Sequence, residues 1–235
     1  RNPLASMVSF VRIMKRDYST LEQYERDALI EEFEKIVNRT GNLLENLLMW
    51  SRSQTGRLNI TPEKFNARII LEENAEFHET LLRTKKIRIG IVTDNDAAEI
   101  FADKNMINTV VRNLLSNSIK FTPAGGIIEL GYKQSGKNCV FHVKDSGIGI
   151  DPSKSEIIFQ PFRQADEGDA RKFGGTGLGL PISLGFVNMM QGRMWVDCTP
   201  GKGTSVFFSL PFRPAICHEP AEALLPEKTG PVWKD

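Results

Sequence analysis

The sequence predicts an α+β protein in which an N-terminal helical hairpin precedes a mixed-sheet α/β sandwich. Apolar residues recur at helical spacing over residues 1–57, whereas helix-like and strand-like segments alternate after residue 62. Gln54-Thr-Gly56-Arg57 and then Thr61-Pro62 separate the two patterns, because glycine and proline interrupt helices. We therefore predict domains at 1–57 and 58–213. Residues 214–235, rich in Pro, Glu and Ala, are predicted to be a linker or tail.

The first domain is predicted to be two helices joined by a short turn. Ser19-Thr20-Leu21-Glu22 fits a capping box, so the second helix is expected to begin there. The hairpin carries an apolar stripe that packs either on the rest of the chain or on a second hairpin, as in a four-helix bundle. The stripe comprises Leu4, Val8, Val11, Met14, Leu29, Ile30, Phe33, Ile36, Val37, Leu43, Leu44, Leu47 and Leu48.

The second domain is predicted to contain helices on one face of a mixed sheet. Two strand pairs carry hairpin turns, at Ser135-Gly136-Lys137 and at Thr199-Pro-Gly-Lys-Gly203. A last helix is expected to start near Thr176. The predicted helices are 66–84 and 103–120, and the predicted strands are 87–92, 99–102, 126–134, 138–144, 193–198 and 204–210.

The composition is that of an ordinary soluble globular protein, with 40% hydrophobic and 25% charged residues among 235. A net charge of +1 gives no bulk attraction to nucleic acid or to anionic membrane. Three widely spaced cysteines form no disulfide framework or zinc motif, which favours a reducing compartment. The chain begins without Met and in mid-pattern, so we expect further sequence upstream, where a membrane anchor or sensor could lie.

Asn113, Asn117 and Lys120 share one helix face because they are spaced i, i+4 and i+7. Amide oxygens suit Mg²⁺, and the lysine would meet phosphate. The alternative is an ordinary solvated helix face.

Asp145-Ser-Gly147-Ile-Gly149 follows a predicted strand. The carboxylate could accept a hydrogen bond from an adenine amine, and the glycines would let the backbone approach a flat base. A simple glycine-rich turn is the alternative interpretation.

Gly174-Gly175-Thr176-Gly177-Leu178-Gly179-Leu180 leads into an apolar helical run, and backbone N–H groups at a helix start attract phosphate. It is neither a Walker loop nor a dinucleotide fingerprint. Between Phe159-Gln-Pro-Phe162 and these glycines, polar residues 163–173 have the composition of a mobile lid. Arg171 and Lys172 in this segment would either reach phosphates or be solvated.

These four motifs, in this order, resemble the N, G1, F and G2 boxes of sensor histidine kinases, and Gly201-Lys-Gly203-Thr204 resembles the closing turn of the family. The resemblance covers the chain from Arg1 to about Arg213. It implies a homodimer through the N-terminal helices, ATP and Mg²⁺ as cofactors, and phosphoryl transfer to a histidine and then to a response-regulator aspartate. With this resemblance, the dimeric bundle is the favoured partner of the apolar stripe.

The resemblance also implies roles for single residues. Asn117 would ligate Mg²⁺, Asn113 would support the metal and the phosphates, and Asp145 would bind adenine. The residues expected to bind the nucleotide are Asn113, Asn117, Lys120, Phe121, Asp145, Gly147, Gly149, Ile150, Phe162, Arg171, Lys172, Gly175, Thr176, Gly177, Leu178, Gly179, Leu180 and Thr204.

One position distinguishes kinases from the hydrolysing chaperone, gyrase and mismatch-repair relatives. Those proteins carry a water-activating glutamate where this chain has Asn113, and an amide cannot act as a general base. The chain is therefore expected to hold ATP until a nucleophile arrives.

The chain departs from the family at a position where many relatives have an arginine near the γ-phosphate. Gln164 stands there, so the charge would come from Arg163 or Arg171, or the glutamine itself would serve.

The chain opens with Arg1-Asn2-Pro3-Leu4, which resembles the end of the phosphoacceptor box and places the acceptor histidine three positions before Arg1. His78, His142 and His218 are each expected to be structural or solvated. In relatives that dephosphorylate their regulator, a Thr or Asn at the position of Asn2 orients water, which indicates a phosphatase role here.

The leading hypothesis is thus the cytoplasmic histidine kinase core of a two-component system, with a receiver domain as its partner and no nucleic acid. A membrane would be involved only through segments outside the chain. The alternative is a non-catalytic ATP-binding dimerisation module, in which phosphate never moves. A hydrolysing ATPase is disfavoured by Asn113 and by the helical hairpin.

Overall fold

A computed structural model describes residues 3–18, 20–54, 58–95, 98–163 and 176–212 of the chain. The N-terminal helices are α1 (Pro3–Asp17) and α2 (Gln23–Gln54). The helices that follow are α3 (Ala67–Phe77), α4 (Glu79–Thr84), α5 (Lys104–Phe121) and α6 (Gly179–Met189). The strands are β1 (Glu63–Asn66), β2 (Arg88–Thr93), β3 (Glu99–Ala102), β4 (Ile127–Ser135), β5 (Asn138–Asp145), β6 (Arg193–Thr199) and β7 (Gly203–Pro211).

Helices α1 and α2 form the predicted antiparallel hairpin, in which the rings of Phe10 and Phe33 stack with centroids 4.3 Å apart. The predicted capping box is displaced by three residues. Glu22 donates its N–H to Glu25 Oε2 at 2.9 Å and begins α2. Thr20 instead donates its hydroxyl to the Asp17 carbonyl at 2.8 Å and so closes α1.

The C-terminal half of α2 has two apolar faces. Leu43, Met49 and Trp50 are partly buried against the core of the following domain. Leu44 and Leu48, at the neighbouring helical positions, are 57% and 50% exposed. The apolar stripe of the sequence is thus divided, because only part of it packs on the rest of the chain.

A five-stranded sheet in the order β2-β4-β5-β7-β6 forms the second domain. Only β2 and β4 are parallel, with Arg88 opposite Ile127, so the sheet is mixed as predicted. Helices α3, α5 and α6 pack over one face. The fully buried core on this face includes Ile70, Leu71, Ile107, Leu114, Leu115, Ile128, Leu130, Phe141, Leu178 and Phe208.

Two predicted elements differ in detail. The single helix expected over 66–84 is divided at His78, whose ring lies buried with Nδ1 2.9 Å from the Asn74 carbonyl oxygen. Strand β1 was not predicted, because three of its four residues, Glu63, Lys64 and Asn66, are of types that are rare in strands. It pairs antiparallel with β3 outside the main sheet.

In the described part of the chain, no helix is both long enough and apolar enough to span a bilayer.

Candidate functional site

Helix α5 carries the asparagine motif and is fixed at its start by Asp103. One carboxylate oxygen of Asp103 accepts the Met106 N–H, and the other accepts the Thr61 N–H, both at 2.9 Å. The carboxylate therefore caps α5 and ties the segment between the two domains to it. The predicted face with Asn113, Asn117 and Lys120 is half-buried, while Leu114, Leu115 and Ile119 lie in the core.

Asn113 connects α5 to the start of α6. Its Nδ2 donates to the Gly179 carbonyl at 3.2 Å and lies 3.3 Å from Ser183 Oγ. Ser183 was not singled out in the sequence, because a serine inside an apolar helical run predicts a buried hydroxyl but does not reveal its partner. The contact places the asparagine face of α5 against the helix start that the glycine motif forms.

Asn117 lies one turn further along, and its side chain has no hydrogen-bond partner among the described residues. An amide oxygen in this state is available to a cation or to ordered water. Lys120 follows, with Nζ 4.5 Å from the centre of the Phe121 ring. The cation thus lies at the end of α5 nearest to Asp145.

Asp145 ends β5 and is held by three donors. Its Oδ2 accepts the Ser118 hydroxyl at 3.0 Å, and its Oδ1 accepts the N–H groups of Gly147 at 2.9 Å and Thr204 at 3.2 Å. Burial raises the pKa of the carboxyl, and these hydrogen bonds oppose the rise. The carboxylate is therefore fixed in one orientation at the edge of the sheet.

Ser118 is a site residue that sequence analysis missed. It follows Asn117 directly but points to the other side of α5, where it is buried beside Asp145. The signal was a serine among apolar core positions, which marks a buried hydroxyl in need of a partner.

The glycines around Asp145 allow close backbone contacts. A Cβ on Gly147 would lie 2.7 Å from the Phe121 carbonyl oxygen. Gly149 has a φ of +72°, and a Cβ there would overlap the Thr199 carbonyl. Both glycines are thus required by the backbone that surrounds the carboxylate.

We expect Gly203→Ala to destabilise the protein by about 3 kcal/mol or more. Gly203 has a φ of +99°, and a Cβ there would overlap the Asp145 carbonyl oxygen. Gly201→Ala is the matched control, because its φ is +75° but nothing lies within 4 Å of the added Cβ. That variant should lose only about 1 kcal/mol. Urea unfolding measures both, and equal losses would contradict the steric explanation.

Phe162 joins the phenylalanine motif to the glycine motif. Its N–H donates to the Gly177 carbonyl at 3.0 Å, and it adopts a φ of 62°, which non-glycine residues rarely do. Its side chain is 58% exposed. Arg163 follows directly, so the described part of this segment ends beside the glycine motif.

Helix α6 begins at Gly179, three residues after the predicted start. The Thr176 hydroxyl accepts the Leu178 N–H at 3.3 Å and forms a short turn before the helix. Leu178 is fully buried and Leu180 packs against the core, so these leucines anchor the helix start. Ile150 is half-buried in the loop after β5. Pro181 has no N–H, so the first turn of α6 offers the N–H groups of Gly179 and Leu180, which have no acceptor within the helix and suit an anion.

Five predicted site residues lie outside the described part of the chain. They are Asn2, Gln164, Arg171, Lys172 and Gly175. The predicted lid at 163–173 also falls there, apart from Arg163.

A groove of about 220 Å³ lies elsewhere, between the segment after α2 and the far end of α6. Ile60, Phe101, Met189 and Leu210 are among the residues that line it, and it shares none with the predicted site. Cavity volume alone therefore does not point to the predicted site, whose residues lie along α5, where Asn113 contacts α6 and Ser118 contacts Asp145.

Comparison with known proteins identifies relatives of this chain. The family described as "Histidine kinase-, DNA gyrase B-, and HSP90-like ATPase" matches residues 102–214. The autoinducer 2 sensor kinase/phosphatase LuxQ of Vibrio vulnificus is 31% identical over 226 residues, which cover 93% of this chain and 26% of LuxQ. The chain thus spans about a quarter of the length of the curated relatives it matches.

Solved structures share the fold. Full-length ShkA in complex with AMPPNP superposes with a TM-score of 0.73 at 24% identity, over 85% of this chain and 41% of ShkA. The histidine kinase ThkA in complex with the response regulator TrrA gives 0.71 at 24% identity, over 91% of this chain and 59% of ThkA. The family match shows that residues 102–214 form an ATPase domain of the type shared by histidine kinases, DNA gyrase B and HSP90, and the sensor kinase LuxQ is similar over 93% of the chain.

Proposed function

We propose that this chain is the core of an ATP-dependent protein-histidine kinase of a two-component system. In this proposal, the γ-phosphoryl group of Mg-ATP passes to a histidine three positions before Arg1 and then to an aspartate of a response regulator. Residues 1–57 serve as the dimerisation unit, and residues 58–213 bind the nucleotide. The observation that carries the proposal is Asn113. Its side-chain amide is hydrogen-bonded to α6, and it stands at the position where hydrolysing relatives have a general base.

The adenine would bind beside Asp145. The Asp145 carboxylate is held by hydrogen bonds from Ser118, Gly147 and Thr204. The lone pairs of its oxygens that remain available to a ligand therefore point in a fixed direction. Gly147 and Gly149 leave the adjoining backbone free of side chains. The complex of ShkA with the ATP analogue AMPPNP supports a nucleotide in a fold of this kind.

The phosphates would lie near the other end of the asparagine face. Asn113 brings that face to the first turn of α6, whose N–H groups and helix dipole favour negative charge. Arg163 would add positive charge there, and Lys120 would reach toward the phosphates from the Asp145 end of the asparagine face.

The residues present fit a magnesium ion. Asn117 has an amide oxygen with no partner among the described residues, and no group of three His, Cys, Asp or Glu gathers in that part of the chain. Mg²⁺ usually keeps several waters and takes few protein ligands together with substrate phosphates. Such an ion would neutralise phosphate charge, while Asn117 would fix its place.

The chain's own contribution to catalysis is positioning. Asn113 cannot deprotonate water, and its side chain is already committed to Gly179 and Ser183. Phosphoryl transfer depends mainly on alignment and charge neutralisation, so an acceptor held in line with the γ-phosphate is sufficient. The acceptor imidazole would supply the nucleophile.

Two partners follow from the exposed surface and the comparisons. The exposed Leu44, Leu47 and Leu48 on α2, with Val8 and Val11 on α1, offer an apolar surface to a second copy of the hairpin. The complex of ThkA with TrrA supports a response regulator as the phosphate recipient.

The direct test extends the first helix upstream through the acceptor position and adds labelled ATP with Mg²⁺. We expect acid-labile, base-stable phosphate on the protein. The control replaces the acceptor histidine with alanine and should remain unlabelled. Measurable ATP binding without any label, at every regulator tested, would favour the ATP-binding dimerisation module instead.

A phosphatase activity toward the regulator is the second part of the proposal, because LuxQ carries both activities in its name. We expect Asn2→Ala to slow regulator dephosphorylation about tenfold or more while histidine phosphorylation continues, since an amide at this position would orient the attacking water. The measurement follows loss of labelled phosphate from a purified regulator. Asn38→Ala, on α2, is a control at a distant position. Identical dephosphorylation rates for Asn2→Ala and the unchanged protein would contradict this role.

A further inference from the structure

Trp50, near the end of α2, contacts the nucleotide-binding domain through a residue of the phenylalanine motif. Its ring centroid lies 6.3 Å from that of Phe162, with the planes at 68°. This is an edge-to-face aromatic pair within the usual range of separation. Trp50 is also partly buried against the core of the domain, so it joins the two units.

Phe162 is an unusual partner, because its backbone is strained. A φ of 62° is unfavourable for a residue with a bulky side chain, so neighbouring contacts must hold it. One of these is the hydrogen bond from its N–H to the Gly177 carbonyl at 3.0 Å. The Trp50 ring is another. A side chain of the helical hairpin thus contacts the residue that fixes the start of the glycine motif.

The position of Trp50 along α2 gives this contact a functional meaning. Phe10 and Phe33 face each other across the hairpin. Because the two helices are antiparallel and have the same rise, each residue back from Phe10 is matched by one residue forward from Phe33. In a helix continued upstream at the same rise, the expected acceptor position, three residues before Arg1, would lie level with Glu45 of α2. Trp50 is five residues further on, roughly 7.5 Å along the axis.

We propose that Trp50 is a positioning residue. By contacting Phe162, it holds the Phe162–Gly177 hydrogen bond against α2, close along the helix axis to the expected height of the acceptor. This inference rests on the proposed histidine kinase function. Trp50 touches neither the nucleotide nor the acceptor; it acts through Phe162, whose hydrogen bond to Gly177 connects it to the phosphate-binding start of α6. The contact brings the site to the acceptor, whereas Asp145 and Asn117 bind the nucleotide independently of it.

The first experiment tests the contact and uses the chain as it stands. Amide hydrogen exchange of Phe162 reports its bond to Gly177. We expect Trp50→Ala to accelerate this exchange about five- to tenfold, in line with the loss of one aromatic pair, and Trp50→Phe to restore protection. Trp195→Ala is the matched control, because Trp195 stacks on Phe207 on the opposite face of the sheet. Unchanged exchange in Trp50→Ala overturns the proposal.

The second experiment separates positioning from nucleotide binding, in the chain extended through the acceptor histidine. Trp50→Ala should lower the rate of histidine phosphorylation at saturating ATP about five- to tenfold, with ATP affinity changed less than twofold. A parallel loss of affinity and rate, or a faster rate, overturns the positioning role. If the unchanged extended chain takes up no phosphate, the proposed function fails and the positioning role fails with it, while the exchange experiment still decides whether the contact exists.

Discussion

Asn117→Ala is expected to lower histidine phosphorylation at least about a hundredfold in the chain extended through its acceptor, which corresponds to the loss of a metal-fixing ligand during phosphoryl transfer. The Asn117 amide is half-buried on the face that Asn113 brings to α6, and it has no partner in the described structure that its loss would leave unpaired. Removing it should therefore weaken magnesium-dependent ATP binding without disturbing the fold.

The measurement combines phosphorylation rates with ATP titrations in the presence of Mg²⁺ and of EDTA. The affinity difference between the two conditions should shrink in Asn117→Ala. Asn105→Ala is the matched control, because Asn105 is an exposed asparagine in the first turn of the same helix. It should match the unchanged protein in rate and in melting temperature. A comparable loss in both variants would mean that the effect comes from α5 as a helix rather than from the amide.

The sandwich was largely predictable because its segments have strong local patterns. Strands β6 and β7 alternate more buried and less buried side chains, whereas β4 and β5 contain continuous runs of buried residues. Glycine-containing turns separate β4 from β5 and β6 from β7. Strand β1 was not predictable, since its pairing with β3 is a tertiary contact. The division of the 66–84 helix at His78 and the displaced start of α2 involve local hydrogen bonds, but several nearby polar residues could have made them.

The candidate site was predictable where one motif contains the whole interaction and less so where two motifs meet. Asp145 and Gly147 are two residues apart, and the Gly147 N–H donates to the Asp145 carboxylate within that single motif. The hydrogen bond from Asn113 to Ser183 joins residues seventy positions apart, so no local sequence pattern predicts it. Trp50 is a further case: an aromatic residue in an apolar helix predicts burial but not its partner Phe162.

Asp145→Asn is expected to weaken ATP binding about ten- to a hundredfold at neutral pH while the protein stays folded. The asparagine has the same size and can still accept the Gly147 and Thr204 N–H groups, so the local backbone is retained. What changes is the strength of the acceptor offered to an adenine amine, because a charged acceptor forms the stronger hydrogen bond.

The raised pKa of Asp145 adds a pH dependence whose sign separates binding from stability. Burial shifts the folded-state pKa of Asp145 above 3.8, the value of an ordinary aspartate. The charged carboxylate therefore lowers the stability of the folded protein at neutral pH. This loss of stability disappears as pH falls through the folded-state pKa. ATP affinity should change in the opposite direction and fall on acidification, because protonation removes the charged acceptor.

Asp145→Asn should lose that pH dependence and should melt no lower than the unchanged protein at pH 7. Asp151→Asn, at an exposed turn nearby, is the control and should keep both the affinity and its pH profile. Calorimetric ATP titrations at pH 7 and at lower pH, down to the limit at which the protein stays folded, measure the effect. An Asp145→Asn variant that binds ATP normally would show that adenine is not held by this carboxylate.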